Sequence, residues 1–222
     1  MMIADEIFLL YTADKGGVFA QYRQFAVTGA VVADLILAQR VELDGRKDPR
    51  LALLDSRPVG HPAHDAMLEY LHERIVGKGK QVKLSQLLGV RSLKLEERTG
   101  RALHDAGILG LVDAKLGGLV GPKFPMENPL PEQHLRARLA HVLRGGEPGP
   151  ADAVELSILK GTSTMHRILR DEVRGMSRKE VKVAIESLET RGDIGPAIKR
   201  AIDMLVTAVM APVFVGVVTA SG

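Results

Sequence analysis

Two stretches decide the reading of this chain: Ala26–Gly45, AVTGAVVADLILAQRVELDG, and Leu54–Leu71, LDSRPVGHPAHDAMLEYL. In the first, Ala26, Ala30, Leu35 and Leu37 recur at helical spacing, and Ala33 and the valines make the segment apolar nearly all round. A helix without a polar face belongs in the middle of a fold. The reading is a central helix over 21–39 that runs directly into a short strand, Val41–Leu43, ending at Asp44-Gly45. Leu51–Leu54 is a second short apolar run, and the two pair as a small hairpin. The second stretch leaves a Pro58-Val59-Gly60 loop and enters a helix over 62–76, with Met67, Leu68, Leu71 and Ile75 on one side.

Outward from this centre, Ile3–Tyr11 reads as a short helix, Ala13–Gly17 as a turn and Gly77–Lys83 as a basic loop. Ser85–Leu88 is a short helix. Lys94–Ala106 is a longer one, with Leu95, Thr99, Ala102, Leu103 and Ala106 on one face and Gly107 as its C-terminal stop. Ile108–Val112 and Leu119–Phe124, split by Gly117-Gly118, form a second hairpin. Helices follow at Pro131–Leu143, Ala151–Lys160, after a capping box at Ser177–Glu180, and at Pro196–Ala211. The fold class is therefore mainly α: a single globular helical domain over residues 1–222 around a central apolar helix, with one or two small β-hairpins.

Composition agrees. The 222 residues are 45% apolar, enough for a sizeable core, but only 4% aromatic and without Trp, so that core is built from Leu, Val, Ile, Ala and Met. The absence of Cys excludes disulfide and thiolate chemistry and fits a reducing compartment. A net charge of +3 and a pI near 9.2 admit an anionic partner, nucleic acid or membrane surface. Asp5 and Glu6 interrupt the N-terminal apolar run, so it does not read as a signal peptide. Met204–Val218 is free of charge, but its 15 residues fall short of the about 20 that a span needs, and Pro212 and Gly216 break it; it reads as a buried helix.

Catalytic signatures are missing. No nucleophile elbow or phosphate-binding loop occurs, and His61, His64 and His72 lack the carboxylate pattern of a metal site, so the expectation is no enzyme, no metal and no cofactor. The informative polar feature is cationic. Arg91, Lys94, Arg98 and Arg101 are spaced three, four and three; in a helix beginning near Arg91 they line one stripe able to hold phosphate oxygens. Lys78, Lys80 and Lys83 precede them, which makes 78–101 the most positive region. An alternative reading uses the same residues: helix 94–106 followed by hairpin 108–124 is the end of a winged helix-turn-helix, a nucleic-acid binder. Glu96, Glu97 and Asp105 on that helix argue against base reading, so nucleic acid is not favoured.

In order along the chain come Ala4-Asp5-Glu6-Ile7-Phe8-Leu9-Leu10, Thr28-Gly29 with Ala33-Asp34-Leu35, and Arg40-Val41-Glu42-Leu43. Pro58-Val59-Gly60 with Asp65-Ala66-Met67-Leu68 follows, then Arg98…Gly107-Ile108-Leu109, Phe124-Pro125…Asn128-Pro129-Leu130 and the helix Leu135–Leu143. In that order and spacing the chain resembles the Golgi phosphoprotein 3 family from about Ile3 to Ala211. The resemblance implies a helical domain that binds phosphatidylinositol 4-phosphate in a shallow basic pocket, an adaptor held peripherally on the cytoplasmic face of a membrane. It also implies oligomerisation through the hairpin at Ile108–Phe124 and, in eukaryotic members, capture of glycosyltransferase tails; this chain looks like a bacterial homologue. The family's pocket aromatic falls on Phe19 and its first arginine on Thr28. Its pair of basic residues falls on Leu93 and Glu96 without a gap, or on Arg91 and Lys94 after a two-residue shift. The candidate headgroup ligands are thus Phe19, Arg91, Lys94, Arg98 and Arg101.

Overall fold

A computed structural model describes residues 1–20, 22–46, 48–113, 121–189 and 203–204. Helix α1 (Ile3–Leu10) is buried along its whole length, and α2 (Arg23–Leu37) is buried without interruption from Ala26 to Leu35. The two pack against each other at the centre. The small residues Ala26, Gly29, Ala30 and Ala33 are what let α2 be surrounded, because each presents little more than backbone to its neighbours. This is the expected central helix.

After α2, β1 (Val41–Leu43) pairs antiparallel with β2 (Arg50–Leu53), Val41 opposite Leu53 and Leu43 opposite Leu51. A third strand, β3 (Val82–Lys83), adds to β2 with Val82 opposite Leu51. The end of the segment read as a basic loop is therefore a strand. Buried Val82 is its one core contact, and two residues show no period. Helix α3 (Pro62–Leu71) stops earlier than expected and continues as a π-helical turn, His72–Gly77. Next come α4 (Leu84–Leu87), a 3-10 turn (Arg91–Leu93) and α5 (Leu95–Asp105), which packs on α1, α2 and α3.

The second hairpin is looser than expected. Among the described residues two isolated bridges hold it, Leu109 to Met126 and Val112 to Lys123, and its tip at Gly117-Gly118 lies outside the described residues. Phe124, on the returning arm, is buried edge-on to Phe8 at 5.7 Å. Then follow α6 (Leu130–Leu143), α7 (Pro150–Gly161), α8 (Met165–Ile168) and α9 (Arg178–Glu186). The Ser177 capping box forms as read: Glu180 N donates to Ser177 Oγ at 3.2 Å, and Ser177 N to Glu180 Oε2 at 2.7 Å. Of the last expected helix, Pro196–Ala211, only Asp203 and Met204 are described, and both are helical; the rest of it, and Met204–Val218 beyond Met204, lie outside the described residues.

Where α1, α6 and α7 meet, Arg138 serves three acids. It lies 2.7 Å from Glu6 Oε2, 2.9 Å from Asp152 Oδ1 and 3.0 Å from Glu155 Oε2. One cation cannot balance three buried carboxylates. Burial first, then the bond and charge of Glu6, push the Glu155 carboxyl well above the usual range, which favours its protonated form in the fold. A raised folded value means stability is complete below the ordinary carboxylate range and falls as pH rises through the folded value. Glu155→Gln, the shape of the protonated acid, should match wild type near pH 5 and become the more stable protein near pH 8, read as denaturation midpoints across that range.

Packing of α5 on the hairpin yields a second test. A Cβ at Gly100 would sit 2.6 Å from the Phe124 ring. Ala favours helix over Gly by about 1 kcal/mol, but overpacking a core costs roughly 1–3 kcal/mol. Gly100→Ala should therefore lower the urea midpoint despite its better helix propensity, and Phe124→Leu should restore part of the loss.

Candidate anion-binding site

The first turn of α5 is set by what precedes it. Leu93 is buried, and bringing it inside turns the chain through the 3-10 segment and through Lys94, which adopts a left-handed conformation with φ +47°. The helix can start only after that, at Leu95. Lys94 is its N-cap and supplies no side-chain acceptor, so the opening amides of α5 are left without a cap. Such a helix start attracts anions through its free N–H groups and its dipole.

A cavity of about 300 Å³ lies at this point. Its walls come from α2 (Arg23, Gln24, Thr28), from the 3-10 turn and helix start (Arg91 and Lys94, with the acids Glu96 and Glu97) and from the returning hairpin arm (Gly121, Pro122, Phe124). Arg23 is fixed in place: its guanidinium lies 4.7 Å from the Phe8 ring centroid, Nε donates to Glu96 Oε1 at 2.8 Å and Nη1 to Thr12 Oγ1 at 3.1 Å. Thr28 donates its hydroxyl to Gln24 O at 2.8 Å. Lys94 Nζ stands 3.8 Å from Glu97 Oε2, a loose pair. Arg91 is exposed and makes no ion pair among the described residues.

The expected stripe of four cations does not form. Arg91 precedes the helix, off its period, because α5 starts at Leu95. Arg98 turns back, Nε donating to Leu93 O at 3.1 Å, and lines a different groove with Asp65, Glu69 and His72. Arg101 pairs with Glu97 at 3.0 Å. Phe19 is half-buried outside the cavity, with the Arg167 guanidinium 5.2 Å from its ring centroid. Of the two registers open in the sequence, the unshifted one lands on buried Leu93 and on Glu96, already bound to Arg23. The shifted one lands on Arg91 and Lys94, which share the cavity with Thr28. Arg23 was missed; its one signal was being the lone cation in the segment read as the central helix, 21–39.

The family profile Golgi phosphoprotein 3 (GPP34) matches residues 3–205. The chain belongs to the Golgi phosphoprotein 3 family. Among curated proteins no sequence matches it. Within this family member, no group of His, Asp and Glu among the described residues is arranged to hold a metal ion, and none of its described helices is long and apolar enough to cross a membrane.

The left-handed Lys94 also allows charge and backbone to be separated. A non-glycine residue at positive φ costs roughly 1 kcal/mol. Lys94→Gly and Lys94→Ala both remove a cavity cation, and only Gly relieves the backbone, so Lys94→Gly should have the higher denaturation midpoint of the two; thermal melts of the two variants decide this.

Proposed function

We propose that this chain is a peripheral membrane adaptor that binds phosphate-bearing lipid headgroups, phosphatidylinositol 4-phosphate among them, at the cytoplasmic surface of a membrane. The supporting observation is the convergence of Arg23, Arg91 and Lys94 on one cavity at the uncapped start of α5. Arg91 and Lys94 take the phosphate oxygens, because Arg23 is already engaged by Glu96; Thr28 and Gln24 supply neutral polar contacts. Each cation near an anionic surface contributes about 1 kcal/mol. Phe19, with Val18 exposed beside it, adds a small apolar contact, and Arg98 and Arg101 act only as surrounding positive charge. Neither catalysis nor a cofactor is part of this function. The family membership supports the further proposal that the hairpin 108–124 joins copies of the chain.

The nucleic-acid alternative gains no observation. Leu95, Thr99, Gly100 and Leu103 pack α5 into the core, and a four-residue α4 stands where the first helix of a helix-turn-helix is needed.

Co-sedimentation at physiological salt tests the proposal. Vesicles carrying phosphatidylinositol 4-phosphate should carry the protein down more strongly than neutral vesicles or vesicles charge-matched with another anionic lipid. Reversing Arg91 and Lys94 together to Glu removes two attractive charges and adds two repulsive ones, so the partition coefficient should fall at least tenfold at about 1 kcal/mol per charge. Equal binding to both anionic surfaces reduces the site to a charged face, and no binding to any vesicle rejects it.

A further inference from the structure

Asp5, His61, His64 and Asp34 form one continuous hydrogen-bonded chain across the starts of α1 and α3 and the buried body of α2. His61 Nε2 lies 3.0 Å from Asp5 Oδ1, the two Nδ1 atoms of His61 and His64 are 2.8 Å apart, and His64 Nε2 is 2.8 Å from Asp34 Oδ2. His64 is 1% exposed and Asp34 8%.

The protons of this chain can be counted, because backbone amides, which only donate, pin it at several points. Asp34 accepts from Ile3 N and Ala4 N, both at 3.0 Å, and so caps the positive end of α1, which holds it as a carboxylate. A carboxylate only accepts, so His64 Nε2 carries a hydrogen toward it. Ala63 N donates to His61 Nδ1 at 3.3 Å, so that nitrogen is bare. The His61 hydrogen is then on Nε2, directed at Asp5, whose other oxygen accepts from Met2 N at 3.1 Å. The contact between the two Nδ1 atoms is left needing its hydrogen from His64. Both nitrogens of His64 are protonated.

We infer that His64 is a buried imidazolium, the proton-dependent latch that fastens α1 and α3 to α2. The neighbouring charges are engaged elsewhere. Glu6 of α1 binds Arg138 of α6, beside Asp152 and Glu155 of α7; Asp65 of α3 takes the Val59 amide; Glu96, Glu97 and Arg101 of α5 pair with Arg23 and one another, and Arg98 with Leu93 O. No Lys or Arg among the described residues pairs with the four. Loss of the His64 proton sets two lone pairs face to face at 2.8 Å, or a bare nitrogen against Asp34, and one link must open. His61 is also the N-cap of α3, so opening frees that helix start together with the Ile3 and Ala4 amides.

The direct test is the protonation of the His64 ring in the full chain by nitrogen NMR near pH 7.5, where a free imidazole with its ordinary value of about 6.5 is mostly neutral. Both nitrogens should read as protonated; a bare one overturns the latch, and this readout needs no variant. The second test is thermodynamic. Folding then takes up a proton at this site, so the unfolding constant should rise with pH above the ordinary imidazole range. It is measured in a Glu155→Gln background, since the Glu155 proton gives a slope of the same sign. Adding His64→Gln should abolish that slope; a slope that survives overturns the proposal.

Discussion

Asp34 is the one charged residue on the buried stretch of α2, and the arrangement of the core depends on it. A helix buried along its whole length, as α1 is, hides its first amides from water, and a buried donor without a partner costs about 1–3 kcal/mol. Asp34 resolves this from the neighbouring helix by accepting from Ile3 and Ala4. That one carboxylate fixes the start of α1 against a point well along α2, and His64 brings the start of α3 to the same place. Three elements distant in sequence thereby meet at one charged group, and the Leu, Val and Ala contacts around it inherit a unique register.

The same logic separates charge between interior and surface. Among the described residues, every buried group of the Asp, Glu, Lys and Arg set is acidic: Asp5, Glu6, Asp34, Asp152 and Glu155. Burial of acids costs desolvation, which is met here by backbone amides, by two histidines and by Arg138, a side chain 41% exposed that reaches inward. The exterior is consequently more cationic than a net charge of +3 suggests. A surface with that bias is attracted to anionic bilayers before any specific contact is made.

What could be read in the sequence follows from how many residues carry each signal. The all-round apolar character of 26–35 made α2 legible, and the Ser177 box and Gly107 marked helix ends because capping is local chemistry. Strand β3 was not legible, since two residues carry no alternation. Nor was the break at Lys94: periodicity carries the helix back to Arg91, and only the burial of Leu93 requires the turn that moves the start to Leu95. That shift dissolved the apparent stripe, sending Arg98 to another groove. It also joined Arg91 and Lys94 to Thr28, a meeting of α2 and α5 that no spacing along the chain could express.

The cavity's own charge limits what a single headgroup can gain there. Its lining holds Arg23, Arg91 and Lys94 against Glu96 and Glu97, and Glu96 is spent on Arg23. One net positive charge, at about 1 kcal/mol per cation near an anionic surface, gives a contact that forms and breaks easily. Under the proposed function, residence on a membrane would require several such contacts on one body, where each later one is intramolecular and gains from effective concentration. The structure places Gly121, Pro122 and Phe124 of the hairpin in the wall of the cavity. Joining copies through that hairpin would add cavities in number and also press on the wall of each, so headgroup affinity and self-association would be coupled through Phe124 and its contact with Phe8 and Gly100.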